Sequence, residues 1–344
     1  MEYRLLGRSG AAVSSLALGT MTFGRETDEA GSHAQLDEYV SAGGNLVDTA
    51  DVYSGTESES IIGRWLAARG AAARDDLVIA TKGRFPTHGD PNALGLSRKH
   101  LTQALDASLR RLQTETIDLY QVHAWDALTP LEETVRTLDD AARAGKIRYW
   151  GLSNYTAWQL TKAHDLATTR GWLAPVTLQP QYNLLVRGIE AEIVAAVQDA
   201  GMGLLPWSPL AGGWLTGKYS RDEPPAGASR LGEDPERGME AYAKRSAQER
   251  TWRVIDAVRS VADSVGATPA QVALAWLLGR PAVTSVILGA RTLEQLRGSL
   301  AVVDVVLSDE QVRALDDASD PGFDDYPYGP AGENQRSRRI DGGR

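Results

Sequence analysis

The chain has 344 residues, 42% of them hydrophobic and 24% charged, with a formal net charge of −9 and no cysteine. That length suits two domains or one large α/β barrel, with a sizeable core, and the acidic balance argues against a nucleic-acid partner. Without cysteine, disulfides, thiolate nucleophiles and Cys-based zinc sites are excluded.

At the N-terminus, Met1 to Gly7 has no long apolar segment, and no later run approaches a membrane span. A soluble cytoplasmic protein is expected. Tyr3-Arg4-Leu5 and Ala12-Val13-Ser14 flank Gly7-Arg8-Ser9-Gly10, which suggests a hairpin capping one end of the fold. Short apolar runs then alternate with amphipathic stretches: Leu16–Leu18, Leu46–Val47, Leu77–Ala80, Ile117–Val122, Ile147–Leu152, Val176–Leu178, Gly203–Trp207 and Val283–Leu288. These are Leu-rich or β-branched on both faces, as buried parallel strands require. Helix starts are marked at Thr56-Glu57-Ser58-Glu59 and Thr129-Pro130-Leu131-Glu132, both read as capping boxes, and at Thr268-Pro269-Ala270-Gln271 and Ser308-Asp309-Glu310-Gln311. Eight βα units favour a (β/α)8 TIM barrel over a doubly wound sheet. The chain shows no repeat and no interdomain linker, so residues 1–344 are read as one barrel domain.

Two segments break the rhythm. Ser220 to Arg250, after the seventh strand, and the tail from Asp320 to Arg344 are polar and read as long loops. The insertion is a candidate lid. The basic cluster Arg336 to Arg339 in the tail is read as solvated. His33, His88, His100, His123 and His164 follow no metal-ligand spacing, so no metal site is expected.

In a barrel of this kind, chemistry sits where strands end. Asp48 and Tyr53 follow the second strand, Lys82 the third and His123 the fourth. A phenol titrates near 10, and a neighbouring ammonium pulls that value down. Asp48 would hold Lys82 charged, and a neutral His123 would orient a carbonyl by hydrogen bonding. The set points to proton donation onto a carbonyl oxygen. A structural Asp–Lys pair or a core tyrosine explains each residue singly, but not all of them at three consecutive strand ends.

The chain resembles the aldo-keto reductases along essentially its full length. The resemblance rests on Gly44 to Tyr53, Ser58-Glu59 with Gly63, Thr81-Lys82, Gln121-Val122-His123, Trp150 to Tyr155, Gln179 to Asn183, Pro206 to Leu210, and Leu288 to Arg291. Within that family it looks most like the bacterial branch that also resembles potassium-channel β subunits. The resemblance implies a barrel that uses NADPH without a Rossmann fold, and no GxGxxG follows any strand. It implies Tyr53 as proton donor, Lys82 and Asp48 as its tuning pair, and His123 as the carbonyl-orienting group. Ser153, Asn154 and Gln179 would hold the nicotinamide carboxamide, with Trp207 stacked on the ring. Ser208, Leu210, Gly212 and Lys218 would line the pyrophosphate, and Gly289, Arg291 and Gln295 the adenosine end. An arginine suits a 2′-phosphate. Ser299 stands where the family usually has Asn near the adenine, a departure that bears on NADPH against NADH. Phe23, Trp125 and Trp214 are candidates for the substrate-pocket wall.

The expected function is NADPH-dependent reduction of an aldehyde or ketone. Small aromatic aldehydes, dicarbonyls and keto-sugar nucleotides are all open as substrates, and the oligomeric state is left open. Alternatives are a non-catalytic, NADPH-sensing regulatory subunit and a hydrolase pairing Asp48 with Glu57 or Glu59. The hydrolase leaves Lys82, Tyr53 and the nicotinamide-site residues without a job.

Overall fold

A computed structural model describes residues 1–337 except 222, 224, 228, 229 and 237, with Arg230 and Met239 in backbone only. Part of the insertion, and Arg338, Arg339 and the rest of the tail, therefore lie outside the described residues. Strands β1 (Tyr3–Leu5) and β2 (Ala12–Ser14) form an antiparallel hairpin. Eight more strands make one parallel sheet: β3 (Leu16–Gly19), β4 (Leu46–Asp48), β5 (Val78–Gly83), β6 (Ile117–Val122), β7 (Ile147–Ser153), β8 (Thr177–Gln179), β9 (Gly203–Leu204) and β10 (Val286–Gly289). The order is β10-β3-β4-β5-β6-β7-β8-β9. The two ends meet: Leu204 N–H donates to Ala282 C=O at 2.7 Å, and Thr284 and Ile287 N–H donate to Leu204 and Pro206 C=O at 2.9 and 3.0 Å. Helices cross between consecutive strands, so the (β/α)8 barrel and its hairpin are as the sequence predicts.

The barrel interior is layered. Leu6 and Val13 of the hairpin pack with Ala17, Leu46, Ala80, Leu119, Leu205 and Ile287 in one buried cluster. Strand side chains alternate faces, so two residues further on the same inward face reappears. There the apolar residues give way to Asp48, Lys82, Gln121 and Trp207. One end of the barrel is thus plugged by hydrocarbon, and the C-terminal end carries the polar groups.

Two expected helix starts differ. Thr56 has a left-handed backbone and makes no side-chain cap, because the 3-10 turn Tyr53–Thr56 leads directly into the helix Glu57–Arg69. Pro130 is itself the cap of the helix Leu131–Arg143, while Thr129 donates its hydroxyl to Asp126 at 2.6 Å. Thr268 and Ser308 do form capping boxes with Gln271 and Gln311. Among the described residues no single helix is long and apolar enough to cross a membrane, and no group of three or more His, Asp or Glu side chains is disposed to hold a metal ion.

Candidate active site

Parallel register sets the site. Lys82 lies level with Gln121, Gln121 with Gly151, and Ser153 with Gln179 across successive strands. Lys82, fully buried, donates from Nζ to Asp48 Oδ2 at 2.7 Å, to Thr49 C=O at 2.8 Å and to the Tyr53 hydroxyl at 3.3 Å. Asp48 Oδ1 accepts from Gln179 Nε2 at 2.8 Å and from Gln121 Nε2 at 3.4 Å. Both carboxylate oxygens are therefore held, and the ammonium has three acceptors, as buried charges require. Tyr53 owes its place to the 3-10 turn, in which Ser54, Gly55 and Thr56 all take positive φ. Hydroxyls pin that turn from behind: Ser58 Oγ lies 2.8 Å from Thr20 Oγ1 and 2.9 Å from Thr49 Oγ1.

The imidazole of His123 meets the Tyr53 ring edge-on at 5.9 Å and Phe85 at 4.8 Å. Burial, with the charges of Lys82 and Arg84, lowers its pKa to about 3, so it is neutral. Its Nδ1 is buried without a partner. A proton there would be an unpaired buried donor, which is costly, so it belongs on Nε2. Burial works against the Lys82 ammonium, but Asp48 and Tyr53 override it and its pKa rises. The Tyr53 phenol differs from expectation: its pKa is raised, because burial and Asp48 together outweigh the pull of Lys82. The resting phenol is firmly protonated.

Behind this group lies a second one, whose Asp51 and Arg111 sequence reasoning missed. Glu59 accepts from Thr81 Oγ1 at 2.6 Å and from Arg111 Nε at 2.7 Å. Asp51 is fully buried, and neither carboxyl oxygen makes a well-formed hydrogen bond. Burial and the charge of Glu59 push its pKa up to about 7, against Arg111 and Lys82. The signal available in sequence was its position between Asp48 and Tyr53, which reads equally well as a solvated loop carboxylate. Gln121 shows in sequence only as the neighbour of Val122-His123; its inward face follows from strand alternation with Leu119.

The proposed cofactor residues line up along the same rim. Ser153 Oγ donates to Gln179 C=O at 2.8 Å, and Asn154, with φ of 56°, donates from Nδ2 to His123 C=O at 2.9 Å. Trp207 Nε1 donates to Asn154 Oδ1 at 3.2 Å, which fixes its half-buried ring beside them. From Ser208 to Gly213 the chain winds tightly, with positive φ at Ser208, Ala211, Gly212 and Gly213. Gly289 borders open space, since a Cβ there would meet nothing within 4 Å. Arg291 N–H donates to Gln295 Oε1 at 2.9 Å, and the guanidinium holds Glu233. Lys218 lies over the Tyr219 ring at 5.2 Å. A half-buried indole, amide groups, a wound backbone and an arginine form a donor set that fits a nicotinamide dinucleotide.

The pocket-wall expectations fare unevenly. Trp125 is partly buried against Tyr155 and Trp158, both at 5.3 Å. Phe23 is fully buried in the core and contributes no surface to a pocket. Trp214 is also fully buried, stacked at 5.5 Å on Tyr242 of the insertion, with Nε1 donating to Glu240 C=O at 3.0 Å. It forms the seat of the insertion, a packing role that an aromatic in a Gly-rich turn does not announce.

The sequence pattern of the aldo/keto reductase family matches residues 15–320. Among curated proteins the chain is 39% identical to the uncharacterized oxidoreductase YrpG of Bacillus subtilis, over 97% of this chain and 98% of that one. It is 38% identical to a probable voltage-gated potassium channel subunit beta of rice, over 89% of this chain and 92% of that one. It is 35% identical to the versiconal hemiacetal acetate reductase of Aspergillus parasiticus, over 92% and 96% of the two chains. With eight parallel strands, the rim constellation and these likenesses in place, the chain belongs to the aldo/keto reductase family, a family of oxidoreductases.

Proposed function

We propose that this protein is an NADPH-dependent reductase of aldehydes or ketones, with Tyr53 as proton donor. The observation that carries the reading is the Lys82 ammonium, fully buried and shared between Asp48 at 2.7 Å and the Tyr53 hydroxyl at 3.3 Å. A neutral phenol is the right donor, and a fixed cation beside it stabilises the phenolate that forms as the proton leaves. His123, neutral with its proton on Nε2, donates a hydrogen bond to the carbonyl oxygen and aligns it with the phenol. Asp48 keeps Lys82 in place and charged. When bound, NADPH supplies the hydride that adds to the carbonyl carbon. Ser153, Asn154 and Gln179 would hold the carboxamide and Trp207 the ring face. Gln179 gives its amide nitrogen to Asp48 and so keeps its amide oxygen for a donor. The balance is one hydride and one proton added across C=O to give the alcohol.

The reading is tested by mixing the protein with NADPH and 4-nitrobenzaldehyde and following loss of nicotinamide absorbance. We expect aldehyde-dependent oxidation that falls at least about a hundredfold in Lys82→Met. Binding of NADPH without turnover on aldehydes, ketones or keto-sugar nucleotides would instead favour a sensor, the reading prompted by the channel-subunit name of the rice relative.

A further inference from the structure

We propose that Glu233 sets how sharply this protein discriminates NADPH from NADH, by occupying Arg291 whenever a 2′-phosphate does not. The inference rests on the reading that Arg291 faces the adenosine 2′-phosphate. Two elements far apart in the chain meet here. Arg291 follows β10 and is placed rigidly: Thr27 Oγ1 donates to its C=O at 3.1 Å, Thr22 Oγ1 to the C=O of Ala290 at 2.9 Å, and Gln295 Oε1 takes its N–H at 2.9 Å. Glu233 ends the short helix Arg230–Glu233 in the insertion after β9. The helix is seated by Leu231, which is fully buried. The carboxylate of Glu233 takes Arg291 Nη2 with both oxygens, at 2.8 and 2.7 Å.

The geometry of that pair matters. Both oxygens share one guanidinium nitrogen, so the parallel two-bond fork available to a carboxylate or phosphate is not used. Glu233 is therefore a weaker occupant of Arg291 than a phosphate monoester would be. The two cofactors differ only at this point. A 2′-phosphate must displace the carboxylate, since two anions cannot share one cation without repulsion. A ribose 2′-hydroxyl has no such conflict, because a carboxylate beside it is a hydrogen-bond acceptor. Glu233 thus works against NADPH and is neutral or helpful to NADH, while Arg291 works the other way. The side chains are 26% and 43% exposed for Arg291 and Glu233. A pair so open to water contributes no more than about fivefold in a binding constant, and anion repulsion adds a similar factor.

The test is calorimetric titration of the full chain with NADP+ and NAD+, for wild type, Glu233→Gln, Arg291→Met and the double variant. We expect Glu233→Gln to tighten NADP+ about three- to tenfold and to leave NAD+ unchanged or slightly weaker. In the Arg291→Met background the same change should alter NADP+ affinity less than about twofold. Suppose Arg291→Met lowers the NADP+ to NAD+ affinity ratio but Glu233→Gln does not raise it. Then Arg291 reads the phosphate and the proposal for Glu233 is wrong. Should Arg291→Met leave the ratio unchanged, the assignment of Arg291 fails and takes the proposal with it. Equal weakening of both cofactors by Glu233→Gln would make the residue a general latch of the insertion and would also overturn the proposal.

Discussion

Lys82 and Asp51 show how two buried charges of similar depth reach opposite outcomes. Lys82 has three acceptors within 3.3 Å, so its charge survives burial. Asp51 has no well-formed partner, and its pKa rises to about 7. The sign of the consequence is fixed by linkage. A carboxyl whose pKa is raised on folding is most stabilising, relative to its ionised form, below its unfolded value near 4. That contribution is lost as pH rises towards about 7. Asp51→Asn should therefore raise the melting temperature at pH 8, by about 1–4 kcal/mol in stability, and change it little at pH 4. Equal effects at both pH values would mean that Asp51 is not held protonated by the fold. Sequence alone could not reach this, since a carboxylate two residues before Tyr53 reads the same whether solvated or buried. Asp48, Tyr53, Lys82 and His123 were legible because each follows an apolar run that had to be a buried strand.

At the level of elements, the strands were easier to read than the helix ends. Each of the eight apolar runs read as strands overlaps a strand of the parallel sheet, because parallel strands in a barrel interior need apolar side chains on both faces. Capping signals at Thr268 and Ser308 held, whereas those at Thr56 and Thr129 yielded to local demands. The turn that delivers Tyr53 needs positive φ up to Thr56, and Thr129 is taken by Asp126. Behind the Tyr53 turn, the helix Glu57–Arg69 presses on the end of the helix Arg98–Leu112 through Gly63. A Cβ at Gly63 would lie 2.0 Å from Arg111 C=O, and Arg111 is the partner of Glu59. Gly63→Ala should therefore destabilise the fold by about 1–3 kcal/mol and loosen the Glu59–Arg111 contact. Chemical denaturation would show it, and an unchanged midpoint would mean that the two helices separate freely.

The whole molecule divides its labour between a barrel and the segments laid over its rim. The barrel was predictable from periodicity and length; the seat of the insertion was not, since its contacts join distant residues. Buried Glu240 takes Arg245 Nε at 2.7 Å and also meets Gln181, beside β8. Arg250 reaches Leu185 C=O at 3.1 Å and Ser319 C=O, tying the insertion's end to the C-terminal segment. The insertion is thereby fastened to Gln181, to Leu185 and, through Tyr242, to Trp214, next in sequence to the wound stretch that ends at Gly213. In the proposed reaction the rim of the barrel delivers a proton from Tyr53 to a carbonyl oxygen. The most direct test compares wild type and Tyr53→Phe in NADPH oxidation with 4-nitrobenzaldehyde, with NADPH affinity measured on both. We expect similar affinity and a rate at least about a hundredfold lower in the variant; equal rates in the two proteins would mean that Tyr53 is not the proton donor.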